Sequence, residues 1–214
     1  MIDEPKFKKA DVDVREKFTL YDGFFKMEKY TLRHQQFAGG WGTEVTREMF
    51  ERGHAVAVLP YDPNTDEVIL IEQFRPGAFA AMSNSPWFDQ DASPWQIEAV
   101  AGMIDEGESP EDVAIREMRE ETGAETQDLI PMCHYLVSPG GSTESVFVFV
   151  GRTEANSIAG FHGLDHEGED IRPFAMPLPE AYEGIAQGKI INGMTIIALQ
   201  WLMLNKEKVL KAWS

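Results

Sequence analysis

Residues 102–124 (GMIDEGESPEDVAIREMREETGA) constrain the fold of this chain more than any other segment, because they mark both ends of one helix. Ser109 is a suitable N-cap residue, and Pro110 fits the first helical position after it. Gly123 fits the left-handed residue with which many helices end. The segment therefore predicts a loop, a helix over residues 109–121, and a tight turn.

Three glutamates share one face of this predicted helix near its C-terminal end. Glu117, Glu120 and Glu121 are spaced i, i+3 and i+4, so their side chains span about a third of the helix circumference. Like charges at this spacing repel each other, and the helix dipole disfavours anions at this end. Two interpretations remain open: a solvated acidic face that Arg116 and Arg119 partly neutralise, or a site for a divalent cation such as Mg²⁺ or Mn²⁺.

The acidity of the chain is concentrated rather than spread. The 214 residues include 19 Lys and Arg against 36 Asp and Glu, for a net charge of −17. Residues 102–124 contribute −6 of this charge, and residues 165–170 contribute −4. We expect no nucleic-acid partner and no membrane partner, because such a charge repels phosphate backbones and anionic lipids. A phosphate substrate stays possible, since bound cations would invert the field locally.

The sequence predicts a cytoplasmic protein. Cys133 is the single cysteine, so neither an intrachain disulfide nor a zinc site with several cysteines is possible. Residues 1–18 are charged throughout, and they are expected to be neither a secretory signal nor an anchor. The longest apolar stretch, residues 194–204, contains Gln200 and is too short to span a bilayer.

The first quarter of the chain predicts a small antiparallel sheet. Residues 19–51 alternate aromatic or aliphatic side chains with polar ones, and Gly39 and Gly40 interrupt the alternation. We expect strands with a turn near these glycines, preceded by a loose arm or edge segment over residues 1–18. Three strands are too few to bury both faces, so the sheet should pack on the main domain or on a second subunit. The predicted domains are residues 1–51 and 52–214.

The main domain mixes strands and helices without a regular alternation, which favours an α+β fold over a doubly wound sheet. Short apolar runs predict strands at residues 54–60, 67–74, 96–100, 134–138 and 145–150. Amphipathic periodicity predicts further helices at residues 179–187 and 192–213. Residues 77–95 show little periodicity and are expected to form a long loop.

The spacing within residues 102–124 resembles the box that defines the Nudix hydrolases. Gly102, Glu108 and the run from residue 116 to residue 123 match its fixed positions. Ala124 is smaller than the aliphatic residue usual there, a change expected to affect packing rather than metal binding. The resemblance implies a Nudix α/β/α sandwich with a mixed sheet, to which the small N-terminal antiparallel β domain is added.

The resemblance also implies which residues bind metal. Glu117 and Glu121 would be the principal ligands of two or three Mg²⁺ ions, with Mn²⁺ as a possible replacement. The backbone carbonyl of Ala101 would be a further ligand, and Glu120 would adjoin the site. Arg116 would steady the glutamates, and Glu108 would orient the loop and the helix.

A second acidic segment, residues 165–170, corresponds to the mobile loop in which this family carries its catalytic base. Matching by position assigns the base to Glu167, with Glu169 as the reserve. A carboxylate there would accept a proton from the water that attacks phosphorus. Taken alone, the same segment is an ordinary solvated loop.

Features outside the box resemble the bacterial ADP-ribose pyrophosphatases. Pro139, in the run Ser138-Pro139-Gly140-Gly141, lies sixteen residues after Gly123, as in that subgroup, although a simple turn between strands would explain the run equally well. Further similar segments are residues 19–25, 51–55, 71–75, 162–164, 169–172 and 197–202. Residues 76–95 depart from the family, because this loop is longer.

From this subgroup follow the expected substrate contacts. Phe24 and Arg47 would hold the adenine across a homodimer formed through the N-terminal sheet. Arg75 would contact the diphosphate or its sugar, and Ser138 and Glu144 would lie by the terminal ribose. The alternatives are that Phe24 packs in the core of the N-terminal sheet and that Arg47 is an ordinary surface residue.

The function implied is Mg²⁺-dependent hydrolysis of ADP-ribose, a small nucleoside diphosphate, to AMP and ribose 5-phosphate. One alternative within enzymes is hydrolysis of GDP-mannose or of another nucleoside diphosphate sugar. The alternative from another class is a catalytically silent Nudix module that binds a nucleotide as a regulator. The complete set of box carboxylates and the net charge both argue against the silent module.

Overall fold

The computed structural model describes residues 3–126, 128–158, 160–164 and 168–214. The chain forms two compact units, one of Met1–His54 with Leu136–Ser145 and one of Ala55–Tyr135 with Val146–Ser214. The loop at residues 136–145 thus belongs with the N-terminal unit although it lies late in the sequence. The division into domains after residue 51 stays a prediction.

The first unit is built on a three-stranded antiparallel sheet in the order β1-β2-β3. Its strands are β1 (Val12–Asp22), β2 (Lys26–His34) and β3 (Val45–Glu51), preceded by a short 3₁₀ turn at Lys9–Asp11. Gly39 and Gly40 have φ angles of 95° and 76° between β2 and β3, so the predicted turn is confirmed. Of the two alternatives for residues 1–18, the edge segment is confirmed from Val12 onward, because β1 is an edge strand paired with β2.

The loop at residues 136–145 is fixed to the edge of β3. The backbone N–H of Phe50 donates to the carbonyl of Gly141 at 2.8 Å, and the N–H of Thr143 donates back to the Phe50 carbonyl at 3.1 Å. Within the loop, the carbonyl of Ser138 accepts from the N–H groups of Gly141 and Ser142. Pairing between residues more than ninety positions apart therefore gives this glycine-rich turn its place.

The second unit contains most of a mixed seven-stranded sheet in the order β10-β5-β4-β9-β8, with β6 paired to β5 and β7 to β4. Strands β4 and β9 are parallel, whereas β4, β5, β6, β7 and β10 pair with one another antiparallel. The strands are β4 (Ala55–Asp62), β5 (Glu67–Phe74), β6 (Trp95–Glu98), β7 (Val100–Met103), β8 (Leu129–Leu136), β9 (Ser145–Arg152) and β10 (Arg172–Pro177). The predicted α+β fold is confirmed.

Helices cover both faces of this sheet. On one face, Val113 and Met118 of α2 (Pro110–Thr122) pack in a core with Val56, Ile69 and Ile71. On the other face, α3 (Leu178–Ala186) and α4 (Gly193–Ala212) pack in a second core, whose fully buried members include Leu59, Leu70, Leu178, Leu199 and Leu202. Alternate residues of β4 and β5 point to opposite faces, so each strand supplies both cores. The unit is the predicted α/β/α sandwich.

The segment expected to be one long loop begins with a helix. Helix α1 (Pro76–Ser83) starts at a proline in the first helical position, and its alanines favour helix. None of its residues is buried, so it lacks the apolar stripe from which a helix is recognised in sequence. The remainder, residues 84–94, forms neither helix nor strand.

None of the helices in the described part of the chain is both long enough and apolar enough to cross a bilayer.

Candidate functional site

Residues 102–124 form a strand end, a loop and a helix whose ends are fixed by local contacts. Strand β7 pairs with β4, so that Ala101 lies opposite Ala57. Ser109 caps α2 by accepting the N–H of Asp112 at 3.2 Å. Gly123 ends the helix with a φ of 71°, and its N–H donates to the carbonyl of Arg119. The predicted helix is confirmed, with Ser109 as its N-cap and Gly123 at its C-terminal end.

Gly102 of β7 lies against the side chain of Glu117. A Cβ atom on Gly102 would collide with Oε1 of Glu117, so a side chain here would displace that carboxylate. The backbone conformation does not require glycine, since its φ is not positive. Glycine at the first position of the box therefore leaves Glu117 its place beside β7.

Glu121 is a nearly buried carboxylate, with 3% of its surface exposed. Its Oε2 accepts the backbone N–H of Ala101 at 3.1 Å, which ties α2 to β7. Burial raises the pKa of Glu121 well above its ordinary value, and repulsion from Glu117 adds to the rise. When Glu121 is ionised, the hydrogen bonds and positive charges around it do not fully compensate its negative charge.

Glu117 is in a similar environment. Burial raises the pKa of Glu117 to about 7, and the neighbouring Arg116 opposes this rise, whereas Glu120 and Glu169 add to it. Two carboxylates that repel each other, one buried and one mostly buried, favour a bound cation, and hard oxygen donors are those that Mg²⁺ prefers. The residues present therefore fit a divalent metal, although no three Asp, Glu, His or Cys side chains of the described residues are arranged as a complete site.

Arg116 connects three carboxylates of the box. Its Nε and Nη2 donate to the two oxygens of Glu108 at 3.1 and 3.2 Å. Its Nη1 donates to Glu117 at 2.7 Å and to Glu120 at 3.2 Å. Glu108 also accepts the N–H of Asp105, and these hydrogen bonds hold its pKa below the ordinary value. The contacts of Glu108 are those of a residue that orients the loop against the helix.

Ala124, the one position that departs from the box, is fully buried in the core beneath α2. The departure thus lies at a packing position, not among the carboxylates.

Arg75 follows directly after β5 and forms an ion pair with Glu98 of the adjacent strand β6. Glu98 was missed by the sequence reasoning. Its signal was present: a carboxylate within the apolar run IEAV, residues 97–100, requires a partner if the strand is buried.

The predicted base lies outside the described residues, since Glu167 is not among them. The reserve, Glu169, is described: its Oε2 accepts the N–H of Leu164 at 3.1 Å. Its charge contributes to the raised pKa values of Glu117 and Glu121, which places it near the box. The choice between the two glutamates stays a prediction.

In the first unit, two predicted adenine contacts are on the surface. Phe24 is 85% exposed and touches Phe25 edge-on, with ring centroids 4.7 Å apart. The alternative in which Phe24 packs in the core of the sheet is therefore wrong for this chain. Arg47 lies exposed on β3, where its Nη1 donates to the carbonyl of Thr46.

The two predicted ribose contacts differ in burial. Ser138 is exposed, whereas Glu144 is 8% exposed and forms an ion pair with Nη1 of Arg52 at 3.1 Å. The guanidinium of Arg52 lies over the ring of Phe25, 5.3 Å from its centroid. Arg52 was not predicted from the sequence. It contacts both Glu144 and Phe25, and Phe25 in turn contacts Phe24.

The α/β/α sandwich and the carboxylates that α2 places beside β7 were compared with domains of known proteins through the sequence family they define. The NUDIX domain matches residues 51–192, about two thirds of the chain. This chain belongs to the NUDIX domain family.

Individual proteins are similar over nearly the whole length. The ADP-ribose pyrophosphatase of Escherichia coli (strain K12) is 45% identical over 208 residues, which cover 97% of this chain and 95% of that protein. A GDP-mannose pyrophosphatase of Yersinia pestis (strain Pestoides F) is 32% identical over 187 residues, covering 87% of this chain and 88% of that one. A solved structure described as an ADP compounds hydrolase superposes with a TM-score of 0.69 at 20% identity, covering 92% and 96% of the two chains, and supports the fold alone.

Proposed function

We propose that this protein hydrolyses the diphosphate of ADP-ribose to AMP and ribose 5-phosphate in a reaction that depends on a divalent metal. The observation that carries the proposal is the pair of carboxylates Glu117 and Glu121, the first mostly buried and the second buried, which α2 holds beside β7. The choice of ADP-ribose is supported by the greater similarity to an ADP-ribose pyrophosphatase than to a GDP-mannose pyrophosphatase.

The metal proposed is Mg²⁺, as two or three ions, with Mn²⁺ as an alternative. Glu117, Glu121 and the carbonyl of Ala101 would hold it, with Glu120 adjoining. Bound Mg²⁺ would offset the charge of the phosphates and lower the pKa of a water molecule.

The chain's own groups then have separate tasks. Arg116 keeps Glu117 and Glu120 in place through the hydrogen bonds described above. Glu167, or Glu169 in its place, accepts a proton from the water as it attacks phosphorus in line with the leaving phosphate. The bond between phosphorus and the bridging oxygen breaks, which releases the two monophosphates.

The proposed substrate contacts are those that the ADP-ribose pyrophosphatase subgroup implies. Arg75 would contact the diphosphate or its sugar, and Ser138 and Glu144 the terminal ribose. Phe24 and Arg47 would hold the adenine across a homodimer formed through the N-terminal sheet, a role that the exposed ring of Phe24 supports. A small nucleotide is therefore the proposed ligand, rather than nucleic acid or membrane, and the cytoplasm the proposed location.

A comparison of two substrates tests this choice. The purified protein with Mg²⁺ is incubated with ADP-ribose and, separately, with GDP-mannose, and the products are separated by chromatography. We expect kcat/KM to favour ADP-ribose. A large preference for GDP-mannose would show that the second candidate, which its 32% identical relative supports, is correct.

A further inference from the structure

Glu98 is a buried carboxylate to which the proposed reaction assigns no task. It lies at the end of β6, with 2% of its surface exposed. A buried charge is costly unless it is paired and its oxygens are hydrogen-bonded. The groups that satisfy Glu98 therefore indicate what it does.

One oxygen of Glu98 holds Arg75. Both Nε and Nη2 of Arg75 lie 2.8 Å from Oε2 of Glu98, and Nε2 of Gln73 lies 3.5 Å from the same oxygen. Two contacts from one guanidinium fix its plane as well as its position.

The other oxygen of Glu98 is fixed to helix α4. Oε1 accepts from Nδ2 of Asn192 at 2.9 Å. Asn192 is the N-cap of α4, and its Oδ1 accepts from the N–H and the hydroxyl of Thr195. The N-cap of α4 thus holds the carboxylate of Glu98, and this carboxylate in turn holds Arg75.

The side chain of Arg75 is partly exposed, and it lies near the box at residues 102–124. Its side chain is 37% exposed despite the ion pair. Glu98, which holds Arg75, lies three residues before Ala101, whose backbone N–H donates to Glu121 of α2. A fixed, partly exposed cation near a proposed metal ligand is suited to bind an anion together with a metal.

We propose that Glu98 is a positioning residue that holds the guanidinium of Arg75 in the orientation in which it binds the diphosphate of the substrate. This inference rests on the proposed function. A free arginine loses rotamer freedom when it binds a ligand, and an arginine already fixed by an ion pair loses less. Glu98 acts only through Arg75 and does not touch the substrate.

The test is a double-mutant cycle of Glu98→Gln, Arg75→Ala and the double variant, with kcat and KM measured on ADP-ribose at saturating Mg²⁺. Glutamine keeps the volume and one acceptor but removes the charge that orients Arg75. We expect Glu98→Gln to raise KM about tenfold with a smaller change in kcat, because a binding group is misplaced. In the Arg75→Ala background the same substitution should have no further effect on KM.

The matched control is Glu72→Gln, which neutralises a glutamate of β5 that pairs with a different arginine. Glu72 pairs with Arg172, and this ion pair is partly exposed. Its KM should equal that of the wild type, and melting temperatures should show that all variants fold.

Binding of inorganic pyrophosphate with Mg²⁺, measured by calorimetry, gives a readout that does not need turnover. Weaker binding in both Glu98→Gln and Arg75→Ala supports the inference. Wild-type affinity in Glu98→Gln, or effects of the two substitutions on KM that multiply in the double variant, would overturn it. If both variants bind pyrophosphate more weakly than the wild type, but the wild type does not hydrolyse ADP-ribose, the proposed function is contradicted and the positioning role still holds.

Discussion

At the scale of single residues, the candidate site contains carboxylates whose burial disfavours the ionised form. Glu117 and Glu121 are carboxylates with raised pKa values, and Arg116 neutralises only part of the charge on Glu117. Such an arrangement lowers the stability of the metal-free protein when both groups are ionised. Binding of a cation to the folded state alone would recover that stability.

The contribution of Glu117 to the stability of the metal-free protein should fall as pH rises. Burial raises the pKa of Glu117 from 4.5 to about 7, so between these values the folded state binds more protons than the unfolded state. The free energy of unfolding contributed by this group is therefore greatest below pH 4.5 and is lost as pH rises through about 7.

Melting temperatures of the wild type and of Glu117→Gln, measured in a chelator across this range, check the sign. The variant should gain stability relative to the wild type as pH increases, since glutamine does not ionise. A difference that stays constant with pH would contradict the raised pKa.

The two glutamates assigned different tasks should respond differently to substitution by glutamine. Glu121→Gln should weaken activity and metal dependence together, because it removes a proposed ligand. Glu167→Gln should mainly lower kcat, by about 10²–10⁴-fold, since general-base catalysis contributes to the transition state. Initial rates over a Mg²⁺ titration separate the two effects, and near-wild-type kcat in either variant would refute that residue's assignment.

Residue roles were predictable where spacing in the sequence is local. The contacts of Arg116 with Glu108 and Glu120 lie within one loop and one helix, so the box spacing indicates them. The pairs of Arg75 with Glu98 and of Arg52 with Glu144 join distant parts of the chain. Such pairs depend on which strands become neighbours, and a single sequence does not specify that.

At the scale of elements, the same distinction between local and distant signals holds. Helix α2 was predictable because Ser109 and Gly123 mark its ends in the sequence. Helix α1 was not, because a helix without a buried face has no periodic pattern. Strand β8 begins at Leu129 rather than near residue 134, and it includes Pro131, which is tolerated at the edge of a sheet.

Removal of the cap of α2 should destabilise the protein measurably. Ser109→Ala removes the oxygen that accepts the N–H of Asp112, at a cost of about 1 kcal/mol. For a chain of this size we expect a fall in melting temperature of about 2–4 °C by calorimetry. Ser83→Ala, at the exposed end of α1, is the control and should leave the melting temperature nearly unchanged. Equal effects of both substitutions would contradict the capping role.

At the scale of the whole molecule, the first unit has apolar surface that its three strands leave exposed. Large apolar side chains of β1 are more than 40% exposed, namely Val12, Val14, Phe18, Leu20 and Tyr21. Exposed apolar residues in one contiguous strand are typical of an interaction surface. This observation supports the proposal that the sheet mediates a homodimer.

Size-exclusion chromatography with light-scattering detection tests this proposal directly. The wild type is expected to elute as a dimer at micromolar concentration. The variant Phe18→Glu should elute as a monomer, because it places a charge among the exposed apolar side chains of β1. Thr19→Glu, at the next residue in regular register, alternates to the opposite face and is the control that should stay dimeric. A monomeric wild type would contradict the proposed dimer.

The proposed metal-dependent hydrolysis of ADP-ribose is tested most directly by measuring products and metal dependence together. Purified protein is incubated with ADP-ribose in Mg²⁺, in excess chelator, and in chelator followed by excess Mg²⁺. We expect AMP and ribose 5-phosphate in equal amounts with Mg²⁺, none with chelator, and recovery when Mg²⁺ is restored. Folded protein that forms no AMP with Mg²⁺, or that forms it equally well in chelator, would contradict the proposed function.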